Sequence, residues 1–289
     1  MILSVSSYSF SQAISKGIMT QKNAVDEAYK MGFGAVEFTE LNPCENATFE
    51  QQLEYAREIK KRTDELGMFV SCYAIGANLY NDNKEELQKT VQMVKEQVLV
   101  AKELGASVMR HDICYSVSPV KRSFDLMLPE IAETVREIAD FALQHGVKTC
   151  SENHGYISQD SDRMEKLFNA VNHPNYGLLV DIGNFMCADE NPLTAVSHVS
   201  PYAVYVHAKD FHLYEGDCAP IEGAIPTRGG NFLKGAVVGE GDVPVIQCLR
   251  SLKRMGYNGI VSIEYEGAEN CFEGIKRGKE NLEKFIELL

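Results

Sequence analysis

Apolar residues in this chain alternate between two spacings. Between residues 85 and 104, Leu87, Val91, Val94, Val98 and Ala101 recur at steps of four and three, with Lys and Glu opposite. That is the stripe of an amphipathic helix. Residues 46–66 and 124–145 read the same way, and Leu282, Phe285 and Leu289 place a last helix at the C-terminal end. Between the helices lie short apolar runs with strand character, near residues 2–8, 35–38, 68–74, 107–111, 147–152, 177–181, 203–207 and 260–264. Five helix-to-strand junctions carry a glycine: Gly32, Gly67, Gly105, Gly146 and Gly256. A glycine just past a helix takes the left-handed conformation that closes its last turn.

Strands alternating with helices predict a parallel sheet, and eight such units predict a closed (β/α)8 TIM barrel, α/β in class. A doubly wound open sheet would carry a glycine-rich turn after its first strand, and Ser6-Ser7-Tyr8-Ser9-Phe10 is not one. The 289 residues suit one barrel domain spanning 1–289. One stretch breaks the rhythm. From about 210 to 242 the pattern lapses and Gly and Pro accumulate, which predicts a long loop at the catalytic face. Gly239-Glu240-Gly241-Asp242-Val243-Pro244 then reads as a helix start with Asp242 as the N-cap.

Four of the predicted strands run into a residue that can ligate a metal: Glu152, Asp181, His207 and Glu264. Strand ends of a barrel converge on one open face, so three carboxylates and an imidazole would meet there. A lone Asp or Glu ending a strand is more often a helix cap or ion-pair partner, and a lone His more often a satisfied histidine. Four in series point to a divalent-cation site instead.

Composition narrows the partners. The net charge of −13 repels phosphate backbones, which argues against nucleic acid and for a small sugar or a metal ion. No apolar run reaches the roughly 20 residues of a membrane span. Eight cysteines without a CxxC pair, behind a start that lacks a basic leader, predict reduced thiols and a cytoplasmic protein.

The segments Ser151-Glu152-Asn153-His154-Gly155, Val180-Asp181-Ile182-Gly183-Asn184-Phe185, Val206-His207-Ala208-Lys209-Asp210, Gly239-Glu240-Gly241-Asp242-Val243-Pro244 and Ile263-Glu264, in this order, resemble the xylose-isomerase-like barrel superfamily in its sugar phosphate isomerase/epimerase branch. The resemblance implies that Glu152, Asp181, His207 and Glu264 hold one divalent ion. Its oxygen-rich donors suit Mn2+ first, with Mg2+, Co2+ or Zn2+ as alternatives. It implies an isomerase or epimerase of a keto-sugar or sugar derivative that removes a proton next to a carbonyl through an enediolate. Glu152 and Glu264 are the acid/base candidates.

Glu37, His111, His154, Asn184 and Lys209 are candidate substrate contacts at the same mouth, with barrel-rim ion pairing as the plain alternative. Tyr8, Tyr73 and Phe211 could wall the pocket, whereas His145, His173 and His198 read as structural. Two departures matter. Many relatives carry His where this chain has Asn184, which cannot act as an acid and argues against a three-zinc endonuclease. No basic residue matches the one that some epimerases place a few positions beyond the metal His. A lyase or dehydratase using the same site is the main rival, and a non-catalytic sugar-binding subunit is the alternative from another class. The resemblance also allows a homo-oligomer.

Overall fold

Eight parallel strands close into a barrel in a computed structural model that describes residues 1–216 and 221–289. The barrel strands are β1 (Ile2–Ser6), β2 (Ala35–Thr39), β3 (Phe69–Ile75), β4 (Val108–His111), β5 (Lys148–Glu152), β6 (Tyr176–Asp181), β7 (Ala203–Ala208) and β11 (Ile260–Ile263). Each pairs with its sequence neighbour, and β11 closes the ring between β7 and β1. The helices are α1 (Ser11–Ser15), α2 (Ala24–Lys30), α3 (Phe49–Glu65), α4 (Lys84–Leu104), α5 (Phe124–Gln144), α6 (Ser161–Val171), α7 (Pro192–Val199), α8 (Val245–Arg254) and α9 (Cys271–Glu287). None of the described helices is long and apolar enough to cross a membrane.

The stripe on α4 buries Val91, Val94, Val98 and Ala101, and Leu87 packs at its edge. Burying each such branched side chain is worth about 1.5–3 kcal/mol. Asn83 starts this helix by accepting the backbone N–H of Glu85 at 2.9 Å, and Gly105 ends it at φ 74°. The other four junction glycines also have positive φ. All seven cysteines among the described residues are free, and Cys218 lies outside them.

Strand alternation sorts the interior into layers. Cys72, Cys150, Leu179 and Tyr205 form an apolar plug inside the barrel, apart from the larger core between strands and helices. Cys150, Leu179 and Tyr205 each precede a candidate ligand by two residues, so Glu152, Asp181 and His207 form the next layer up.

The aperiodic stretch is not one loop. It holds a three-stranded antiparallel sheet of β8 (Asp210–Tyr214), β10 (Phe232–Ala236) and β9 (Ile225–Pro226), with β10 in the middle. β9 has two residues, and β8 and β10 lack a strict alternation of buried and exposed positions, which hid them from the pattern. The sheet is tied to the loops that follow β5 and β6. Asp189, in the left-handed region at φ 57°, accepts from Thr227 Oγ1 at 2.7 Å, Asn231 Nδ2 at 2.9 Å and the Gly229 N–H. Arg228 Nη1 reaches Asp160 at 2.7 Å, and Tyr156 donates to the Pro226 carbonyl at 2.7 Å.

Asp242 is not an N-cap. Pro244 caps α8 without a side-chain bond, and Asp242 accepts from the Leu213 N–H at 2.8 Å. Asp210 organises this turn, taking the N–H groups of Gly239, Gly241 and Val243 at 2.8, 3.0 and 3.0 Å. A Cβ on Gly241 would stand 2.2 Å from Asp210 Oδ1, so only glycine fits there.

Candidate metal centre

Glu152, Asp181, His207 and Glu264 meet at the C-terminal ends of β5, β6, β7 and β11. Each offers one ligand atom, and the four atoms lie within 4.8 Å of one another. All four residues are buried. His207 is oriented from behind: its Nε2 lies 2.8 Å from Glu37 Oε2, and Glu37 is fully buried. A carboxylate only accepts, so Nε2 carries a proton and Nδ1 is the nitrogen turned to the cluster. Nδ1 lies 3.4 Å from Glu152 Oε1, 3.7 Å from Glu264 Oε2 and 3.8 Å from Asp181 Oδ2.

The cluster tests well as a cation site. His207 Nδ1 and Asp181 Oδ2 are both buried without a hydrogen-bond partner. Buried polar atoms left unpaired are rare, and a shared cation would satisfy both. Charge points the same way. Burial pushes the Asp181 carboxyl up to about 7 against the pull of Lys209, with Glu152 and Glu264 adding to the rise. Burial opposes a charged His207, but Glu37, Glu264 and Glu152 outweigh it and hold the imidazole well above its ordinary value. A divalent ion would replace these protons.

Two cations bracket the cluster. Arg110 Nη2 lies 2.5 Å from Glu152 Oε2 and 2.8 Å from Asp112 Oδ1. Lys209 Nζ lies 2.5 Å from Glu264 Oε2, 3.6 Å from Asp181 Oδ2 and 3.2 Å from Glu266 Oε1. Burial would raise Glu152, yet Arg110 and then His207 hold it well below the usual carboxylate range. Burial would raise Glu264 too, but Lys209, followed by His207, lowers it. Asn184 spans the two halves, donating to Glu152 Oε1 at 3.1 Å and accepting from Lys209 at 3.3 Å. Asn153 exchanges two hydrogen bonds of 2.9 Å with the Asp181 backbone and fixes the β5–β6 ends in register.

Asn184 and Lys209 thus lie at the cluster, and His154 stands beside it. Its Nδ1 is 3.0 Å from Asp112 Oδ1 and its side chain is 43% exposed. Burial lowers His154, but the hydrogen bond and charge of Asp112 prevail and raise it. Glu37 touches His207, not the mouth, so its place as a substrate contact is corrected. His111 is corrected too. Alternation on β4 turns Arg110 inward and His111 outward, where it is fully buried and stacks on Tyr176 at 6.5 Å. Burial pushes its imidazole down to about 4.

Arg110 and Glu266 are neighbours of the cluster that were missed from sequence. A charged residue inside the strand-like run Val108-Met109-Arg110-His111 was the available signal for the first. Beside the cluster opens a cleft of about 740 Å3 at the ends of β1, β2 and β3, with Arg110 and Tyr8 on its lining.

The chain matches the family described as xylose isomerase-like TIM barrel over residues 25–288. It is 24% identical over 266 residues to L-ribulose-5-phosphate 3-epimerase UlaE of Salmonella paratyphi A, covering 84% of this chain and 82% of that protein. The fold resembles that of the probable 3-DHS dehydratase AsbF involved in petrobactin synthesis from Bacillus anthracis, with a TM-score of 0.75, 17% identity and 98% and 99% of the two chains covered. It also resembles the IolI protein, whose crystal structure has a binding zinc atom, with a TM-score of 0.73, 16% identity and 99% and 98% covered. With its family match running from α2 through the last helix, the chain belongs to the xylose isomerase-like TIM barrel family.

Proposed function

We propose that this barrel is a divalent-cation-dependent isomerase or epimerase of a keto-sugar or sugar derivative, working by proton transfer at a carbon next to a carbonyl. The observation that carries the reading is the buried cluster of three carboxylates and one imidazole with two atoms unpartnered. Similarity to an epimerase of a phosphorylated ketose supports the reaction class.

Glu152, Asp181, His207 and Glu264 would hold the ion, with Mn2+ the first candidate for this oxygen-rich set. When bound, such an ion polarises a carbonyl and so acidifies the neighbouring C–H. Glu152 and Glu264 are the proton carriers. Each is kept ionised by its own cation, Arg110 for one and Lys209 for the other, so each starts able to accept a proton. Lys209 and Asn184 would orient substrate hydroxyls. The β8–β10–β9 sheet, anchored on the loops after β5 and β6, would limit water at the mouth.

A second reading has its own support. His154, raised by Asp112 and half-exposed two residues beyond Glu152, could protonate a departing hydroxyl, which would make the enzyme a dehydratase. Metal-loaded protein incubated in D2O with a panel of ketoses, inososes and keto-glycosides, followed by NMR, separates the two. One-carbon deuterium uptake with unchanged formula supports isomerisation or epimerisation. Loss of water from the best substrate replaces it with elimination.

A further inference from the structure

The cleft beside the cluster is roomier than a single hexose requires. Its volume of about 740 Å3 lies within the range of pockets for drug-sized ligands. Its lining takes in Arg110, whose guanidinium touches Glu152 of the cluster, together with Tyr8 and Lys22. The lining is rich in hydroxyls and amides, among them Ser15, Thr39 and Asn42. Thr39 pairs with Ser7 at 3.3 Å and Ser15 donates to the Gln12 carbonyl at 3.2 Å, so lone pairs on both remain to accept from a ligand.

The lining carries two cations, Lys22 and Arg110, and one carboxylate, Glu40, and both cations are already paired. Lys22 is paired to Glu58 at 2.5 Å, and Arg110 is shared by Glu152 and Asp112. Glu40 adds a carboxylate whose Oε1 accepts from the Gly76 N–H at 2.7 Å, not from a cation. A phosphate group entering the cleft would meet no unmatched positive charge on it, in a protein of net charge −13.

We propose that the substrate is an uncharged two-part sugar, its keto-unit at the cluster and a second sugar ring in the β1–β3 cleft, in preference to a sugar phosphate. This rests on the reading that the reacting sugar sits at the cluster. Calorimetry on the Mn2+-loaded protein tests it with D-fructose, D-fructose 6-phosphate and isomaltulose, which carries a glucosyl unit where the phosphate would be. Isomaltulose should bind at least tenfold tighter than fructose, and fructose 6-phosphate no tighter than fructose. Ser15→Trp, on the cleft wall in α1, should cut the disaccharide's advantage below threefold with metal stoichiometry unchanged. Asn42→Trp, at an exposed loop position, gives the same reading should Ser15→Trp fail to fold. Preference for the phosphate, no measurable isomaltulose binding, or an advantage that survives both tryptophans overturns the inference. Binding is read without turnover, so absence of solvent deuterium uptake would remove the isomerase reading while leaving this result to stand or fall alone.

Discussion

Replacing Glu37 with Gln should weaken metal binding although Glu37 is not itself a ligand. The side chain is fully buried, and its Oε2 takes the His207 Nε2 proton at 2.8 Å. Gln keeps the size and one acceptor oxygen. It removes the charge that makes the imidazole a better donor, and it places an NH2 where Glu37 Oε1 now has no hydrogen-bond partner. Outer partners of metal-bound histidines are typically worth about 10–100-fold in affinity, or roughly 1.4–2.7 kcal/mol. The unpaired amide hydrogens cost about 1–3 kcal/mol more of folding stability. The assay is Mn2+ or Zn2+ competition against a chromophoric chelator, with Glu40→Gln, at the same end of the barrel but outside the cluster, as control. A Glu37→Gln protein that binds metal within twofold of wild type would refute the assignment of Nδ1 as the metal-facing nitrogen.

Three further outcomes are expected. Glu152→Gln and Glu264→Gln should each cut solvent deuterium uptake by about 10²–10⁴-fold while retaining measurable metal, because an amide oxygen can coordinate but cannot take a proton; near-normal exchange in either variant removes that residue from the acid/base role. Apparent metal affinity should fall by at least about tenfold per pH unit as pH drops below 7 and should keep rising above it, because His207, held protonated well above its ordinary value, must also lose its Nδ1 proton to ligate. Asp181 is pushed up to about 7 and must lose its proton to ligate, so a pH-independent affinity from 5.5 to 7 contradicts the cluster's electrostatics. Asp189→Ala releases three hydrogen bonds to the β8–β10–β9 sheet. It should cost on the order of 2 kcal/mol and raise KM with metal binding intact, whereas an unchanged KM would make the sheet a bystander.

The barrel was legible because its signals are local. The α4 stripe and the five junction glycines each record one helix and one turn, and eight repeats leave few topologies. The four candidate ligands were legible because each ends an apolar run. What escaped depended on side-chain direction and distant partners. His111 and Arg110 are adjacent, and only the inward phase of β4 says which one reaches Glu152. Glu37 looked like a mouth residue until His207, 170 positions later, was found to be its partner. β9 carries too few residues to show alternation, and β10 does not alternate between buried and exposed positions. Asp210 does the work expected of Asp242 because backbone N–H groups from three residues of a remote turn converge on it.

Metal stoichiometry tests the central claim most directly. Wild-type protein and His207→Ala are dialysed against chelator, reloaded with Mn2+, desalted, and assayed by elemental analysis beside an Asp181→Asn/Glu264→Gln double variant. One ion per wild-type chain, with substoichiometric metal in both variants, is the predicted result. Wild-type protein that holds no divalent ion, or variants that retain a full equivalent, would contradict the assignment of Glu152, Asp181, His207 and Glu264 as a metal centre.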